Sequence, residues 1–184
     1  MTNSSFPPPA FSNPLESPRV LDLKRRVGFD AALAAEKKTG HVAMDWERFP
    51  VPDVLREWAF ERELDRLSDA ESLLTMTFKR GESKVTIEVS VFAPSERTHV
   101  AVRLLERANA VTTVALSDER GPKDLGTLAL VPKAPTAPVA ESFSVVYWIF
   151  RNVFAEVSAF KTPLSAIDIA RWVQRQFELN VRPG

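Results

Sequence analysis

His41 and His99 are the only histidines in the chain, and metal or general-base chemistry would have to start from them. They lie far apart and form no H-x-x-x-H pair that would set two imidazoles on one helix face. Both therefore read as surface or capping histidines. Asp118-Glu119 is a carboxylate pair in a turn-like stretch, where acidic residues are common for local hydrogen-bonding reasons. Acid–base work asks for a cleft that shifts the pKa values of such a pair, and nothing around these two supplies one. No serine stands in G-x-S-x-G, and the six glycines form neither G-x-G-x-x-G nor a phosphate-cradling loop. No catalytic residue, metal ligand or cofactor is assigned on these grounds.

Two features remain that could make contacts. Arg120-Gly121-Pro122-Lys123 places two cations across a turn, suited to an anionic partner or simply to solvent. The stretch from Phe143 to Ser158 is the densest apolar and aromatic run in the chain. If a sheet containing it buries only one face, Trp148 with Phe150, or else Tyr147, lies exposed as a contact surface. The candidate partner-binding residues are accordingly Tyr147, Trp148, Phe150, Arg120 and Lys123. The competing reading covers both sheet faces with helices. Trp46, Trp58 and Trp172 read as core residues.

These residues need elements to hold them. The run 143–158 has apolar residues at helical spacing, but it is nearly all β-branched or aromatic, with Arg151-Asn152 as a polar pair in its middle. Composition favours a hairpin with arms 144–150 and 153–159, and Asn152 suits a turn that needs positive φ. An arm this continuously apolar fits a central strand covered on both faces. A second hairpin is plainer: Leu74, Met76 and Phe78 alternate with polar residues, as do Val85, Ile87, Val89 and Val91 beyond Arg80-Gly81-Glu82-Ser83. Segments 111–117 and 126–131 read as two more strands, joined through a polar turn at 118–124 and followed by Pro132, Pro135 and Pro138.

Helices are expected at four places. The first covers 20–38, with Gly28 as a weak point that divides it and Gly40 as its stop. The second starts at Pro52-Asp53 and runs to about Leu67, with Val54, Leu55, Trp58 and Leu64 turned inward. The third begins behind Ser95 and ends near Asn109; a strand over 99–105 is its rival. The fourth opens with Thr162 as N-cap and Pro163 in first position, and carries Leu164, Ile167, Ala170, Val173 and Phe177 as its stripe, with Gln174 outside it.

At 184 residues the chain has room for one domain and a tail. The expected division is a disordered Pro/Ser-rich tail over 1–18 and a single α+β domain over 19–182. The fold expected is a largely antiparallel sheet of five to six strands packed against N-terminal, middle and C-terminal helices. Lys plus Arg and Asp plus Glu both number 24 and the pI is near 6.8, which argues against a general nucleic-acid surface. There is no cysteine, so no disulfide or thiolate metal site. No basic start leads into an apolar core, and no run reaches the ~18 to 20 apolar residues of a membrane span. The expected setting is cytoplasmic and bacterial. The functional expectation is a non-enzymatic module that binds a protein partner or itself through an aromatic sheet surface. The alternative is a small-molecule-binding or enzymatic domain with a pocket between sheet and helices.

Overall fold

A computed structural model describes residues 17–36, 39–68, 71–112, 117–133 and 143–183. In chain order the elements are helices α1 (Pro18–Val27) and α2 (Phe29–Ala35), strands β1 (His41–Val42), β2 (Ala59–Arg66), β3 (Glu71–Arg80) and β4 (Ser83–Phe92), helix α3 (Arg97–Thr112), strands β5 (Ser117–Arg120), β6 (Leu128–Lys133), β7 (Phe143–Phe150) and β8 (Val153–Phe160), helix α4 (Ala166–Leu179) and strand β9 (Val181–Arg182). Seven strands form one antiparallel sheet in the order β2-β3-β4-β8-β7-β6-β5, and β1 pairs with β9 in a small second sheet. This is an α+β fold, with β2 as one strand more than the upper expectation.

The hairpin β7–β8 is the middle of the sheet, and its composition explains why. Side chains alternate along a strand, and here both alternations are apolar. Val146, Trp148 and Phe150 join Ala155 and Val157 in a core under α4 and the segment 42–58. Val145, Tyr147, Ile149 and Phe154 face the other way, into a core under α1, α2 and α3. A fully buried side chain of this kind contributes roughly 1.5–3 kcal/mol, so two-sided burial sets the strand's position. The turn is Arg151-Asn152 as expected, but the positive φ falls on Arg151 (56°), not on the asparagine. Asn152 is buried and serves another purpose. Its Oδ1 accepts from Val42 N at 2.7 Å, and its Nδ2 donates to Phe92 O at 2.9 Å, tying β1 and the end of β4 to the turn.

The β3–β4 hairpin matches its expectation, with a two-residue turn at Gly81-Glu82. Gly28 divides the first helix: it sits at φ 66° and caps α1. The helix starts earlier than expected, at Pro18 behind an N-cap Ser17, and α2 ends at Ala35. Positions 37 and 38 lie outside the described residues, as do positions 1–16, which hold most of the expected tail.

Three expectations are overturned. The helix over 53–67 is instead a single 3-10 turn at Asp53–Leu55 followed by the edge strand β2. Leu55 is buried, but Val54 is 60% exposed and Leu64 37%. Good helix formers are overruled here because all eight residues from Ala59 to Arg66 pair with β3. Helix α3 runs through Asn109 to Thr112, taking the first residues of the strand expected at 111–117, and β5 carries on to Arg120 where a turn was expected. Helix α4 begins three residues late: Ser165 is its N-cap, accepting from Asp168 N at 3.2 Å. Thr162 instead accepts from Leu164 N in a local turn. Gln174 is buried in the α4 stripe, not outside it, and accepts the Trp148 indole N–H at 2.9 Å.

Candidate ligand site between helix α3 and the sheet

Alternation builds the site. Val85, Ile87 and Val89 of β4 face α4, so Thr86, Glu88 and Ser90 face the α3 side. On β8, Ala155 and Val157 face α4, and Phe154 and Glu156 face α3. The register sets Glu88 directly opposite Glu156, Ser90 opposite Phe154 and Leu73 of β3 opposite Ser90. Helix α3 crosses above, presenting Arg103, Glu106, Arg107 and Ala110. Between them lies a cleft of about 400 Å³, within the range of small-molecule sites.

Two carboxylates side by side on neighbouring strands repel. The repulsion is tolerated because Arg107 grips Glu156 with two hydrogen bonds, from Nε to Oε2 and from Nη2 to Oε1, the latter 2.6 Å. The Glu156 side chain is only 7% exposed, so this is a largely desolvated bidentate pair. The bond to Glu156 also holds the Arg107 guanidinium above its ordinary pKa. The same guanidinium lies 6.0 Å from the centre of the Tyr147 ring. Arg103 pairs with Glu106 at 3.6 Å on the open rim.

Glu88 has no such partner among the described residues. Its carboxyl is pushed above the ordinary value, first by burial and then by the charge of Glu156, against smaller opposing effects of Arg107, Lys84 and Arg103. Ser90, 2% exposed, lines the same cleft, and its hydroxyl makes no hydrogen bond among the described residues. A half-buried carboxylate and a neighbouring hydroxyl, neither hydrogen-bonded among the described residues, are groups that a ligand can engage.

No family model, curated protein or solved structure matches this chain. The site therefore rests on geometry alone.

The residues singled out from the sequence are not brought together. Tyr147 and Trp148 are 0% exposed and Phe150 5%. Both sheet faces at β7 are covered, which removes the exposed aromatic surface: Tyr147 points under α3, and Trp148 and Phe150 point under α4. Arg120 ends β5 and is exposed, with its Nη1 beside Gly28; Lys123 sits in an exposed turn. Arg120 does share a register row with Tyr147, through Leu130, but two strands away. The histidines lie apart from the cleft. His99 Nδ1 is 3.1 Å from Glu96 Oε2, and His41 in β1 pairs with Arg182. Among the described residues, no three His, Asp, Glu or Cys side chains gather as a metal site.

Sequence reasoning missed the cleft, though one signal was present. Glu156 is the single charge in the largely apolar arm 153–159, and a charge in such a strand needs a partner. A larger groove of about 620 Å³ lies between the start of α4 and Pro52–Val54. Of its two arginines, Arg171 is already engaged by Asp124 at 2.7 Å and Asp168 at 3.2 Å, all three largely exposed, and Arg175 is exposed on the helix surface. That leaves Glu88 and Ser90 as the stronger claim on a ligand. No helix among the described residues is long and apolar enough to cross a membrane.

Proposed function

We propose that this protein is a small-molecule-binding α+β domain whose ligand sits in the cleft between α3 and strands β3, β4 and β8. The observation that carries the proposal is the pairing of a cavity with available polar groups: Glu88 and Ser90 line a cleft of about 400 Å³, and neither side chain is hydrogen-bonded among the described residues. A half-buried carboxylate that burial disfavours gains from a ligand that donates to it. A fragment library screened by backbone amide NMR tests it. Fragments should shift the amides of Leu73, Ser90, Phe154 and Glu156, and Ala110→Trp, which plugs the rim, should abolish those shifts. Fragments that bind only elsewhere, or shifts that survive the plug, would overturn the assignment.

A protein partner is the second reading, moved from the aromatic face to the outer side of β2. Among the described residues, that strand ends the sheet and pairs only with β3. Glu61, Glu63 and Asp65 share one of its faces, so the partner it suits is an extended segment with basic residues at alternate positions. An acetylated octapeptide alternating Lys and Thr should slow hydrogen exchange of the 59–66 amides. Unchanged exchange at saturating peptide would sink this reading.

A further inference from the structure

We infer that the cleft takes a small organic cation, with its ammonium or guanidinium group set on Glu88 and Ser90 and its apolar body against Leu73 and Phe154. The inference rests on the reading of the cleft as a ligand site and names what fills it. Three carboxylates and two guanidiniums line the cleft. Arg107 is committed to Glu156 by two hydrogen bonds, and Arg103 pairs with Glu106 at the rim. The charge left over is the negative one on Glu88.

That charge sits in poor solvation, because burial and the neighbouring Glu156 both disfavour its ionised form. A cation placed there restores what desolvation removed and adds a charge-assisted hydrogen bond. An anionic ligand would meet Glu88 head-on and would have to pull Arg107 from Glu156, leaving that carboxylate buried and alone. Ser90 adds an acceptor for a second N–H. The acidic row extends outward as well. Thr75 of β3 lies opposite Glu88, and Glu63 of β2 opposite Thr75, which sets Glu63 roughly 9–10 Å from Glu88, two strand spacings away. Asp65 lies on the same face, as does Glu61, which Lys79 already engages at 3.4 Å, so Glu63 and Asp65 are the carboxylates that draw cations to the open side of the cleft. A hard divalent ion fits less well: it wants six or more oxygens, and the cleft offers only Glu88 and Ser90 once Glu156 is committed to Arg107 and Glu106 to Arg103.

Three probes of matched shape decide the matter on the full chain: benzylammonium, benzyl alcohol and benzoate, followed by amide NMR at pH 7.5, with Mg²⁺ as a fourth. Benzylammonium should shift Glu88, Ser90 and Phe154 at lower concentration than the other two. Glu88→Gln should weaken it by roughly tenfold or more, the loss expected for a hydrogen bond to a charged group, with the amide spectrum otherwise intact. Lowering the pH should weaken it too, starting above the ordinary Glu range. Benzoate or Mg²⁺ binding in the cleft as tightly as benzylammonium overturns the cation while leaving the cleft a ligand site. Silence of all four probes there overturns both.

Discussion

Arg107 holds the cleft's charges in balance. Truncating it leaves Glu156 buried without its partner and beside Glu88, so Arg107→Ala should destabilise the fold by on the order of 3 kcal/mol. Removing the repulsion as well as the attraction should cost less: the double variant Arg107→Leu/Glu156→Leu is expected to be more stable than Arg107→Ala alone. Urea denaturation of the three proteins checks this, and a double variant no better than the single would refute the account. Glu88 gives a pH test with a definite sign. Its folded pKa is raised above the ordinary 4.5, so its protonated form is the better tolerated. The stability it contributes is present below about pH 4.5 and is lost as the pH climbs through the folded value. The groups facing it, namely Glu156, Arg107, Lys84 and Arg103 with Glu106 at the rim, are unchanged in Glu88→Gln. That variant should therefore melt above the wild type at pH 7.5, and the gap should close by pH 4. Calorimetry showing the same gap at both values would contradict the burial of Glu88.

Among the elements, β2 explains both a failure of sequence reading and a property of the protein. Its alternating charges, Glu61-Arg62-Glu63 and Asp65-Arg66, look like an exposed helix surface, yet they also suit an edge strand that must not pair with its own copy. In antiparallel self-pairing about a two-fold axis, opposed residues lie on the same sheet face. Glu61, Glu63 and Asp65 then face one another in every register with substantial overlap. The wild type should sediment as a monomer at tens of micromolar, and Glu61→Thr/Glu63→Thr/Asp65→Thr should associate. If the triple variant stays monomeric, charge is not what protects this edge. The elements legible in the sequence were those whose pattern and burial agree: the β3–β4 hairpin, the two-sided β7–β8 hairpin and the break at Gly28. The edge strand was not legible, because its partner β3, rather than its own residues, makes it a strand. The same holds for α4, whose buried Gln174 reads as polar surface until Trp148 is seen to donate to it at 2.9 Å. The cleft is a third case: Glu88 and Glu156 are 68 positions apart and meet only through the β4–β8 register.

For the whole molecule, the sheet is a wall between two cores, and the question is whether they stand or fall together. The chromophores divide cleanly between them. Trp148, with Trp46, Trp58 and Trp172 packed around, belongs to the α4 side, whereas Tyr147, the single tyrosine, belongs to the α1–α3 side. Adjacent residues of one strand thus report on opposite cores. Losing the helices over Tyr147 would expose Val145, Ile149 and Phe154 to water along the same strands that carry Val146, Trp148, Ala155 and Val157 for the other core. Neither core keeps its wall if the β7–β8 ladder frays, so the two should unfold in one cooperative step. Urea titration followed by tryptophan fluorescence and by ¹⁹F NMR of fluorotyrosine at position 147 should give the same midpoint. A lower midpoint for the tyrosine would mean that α1, α2 and α3 detach first. The cleft beneath α3 would then open by local unfolding, and its occupant would be expected to raise the tyrosine midpoint alone.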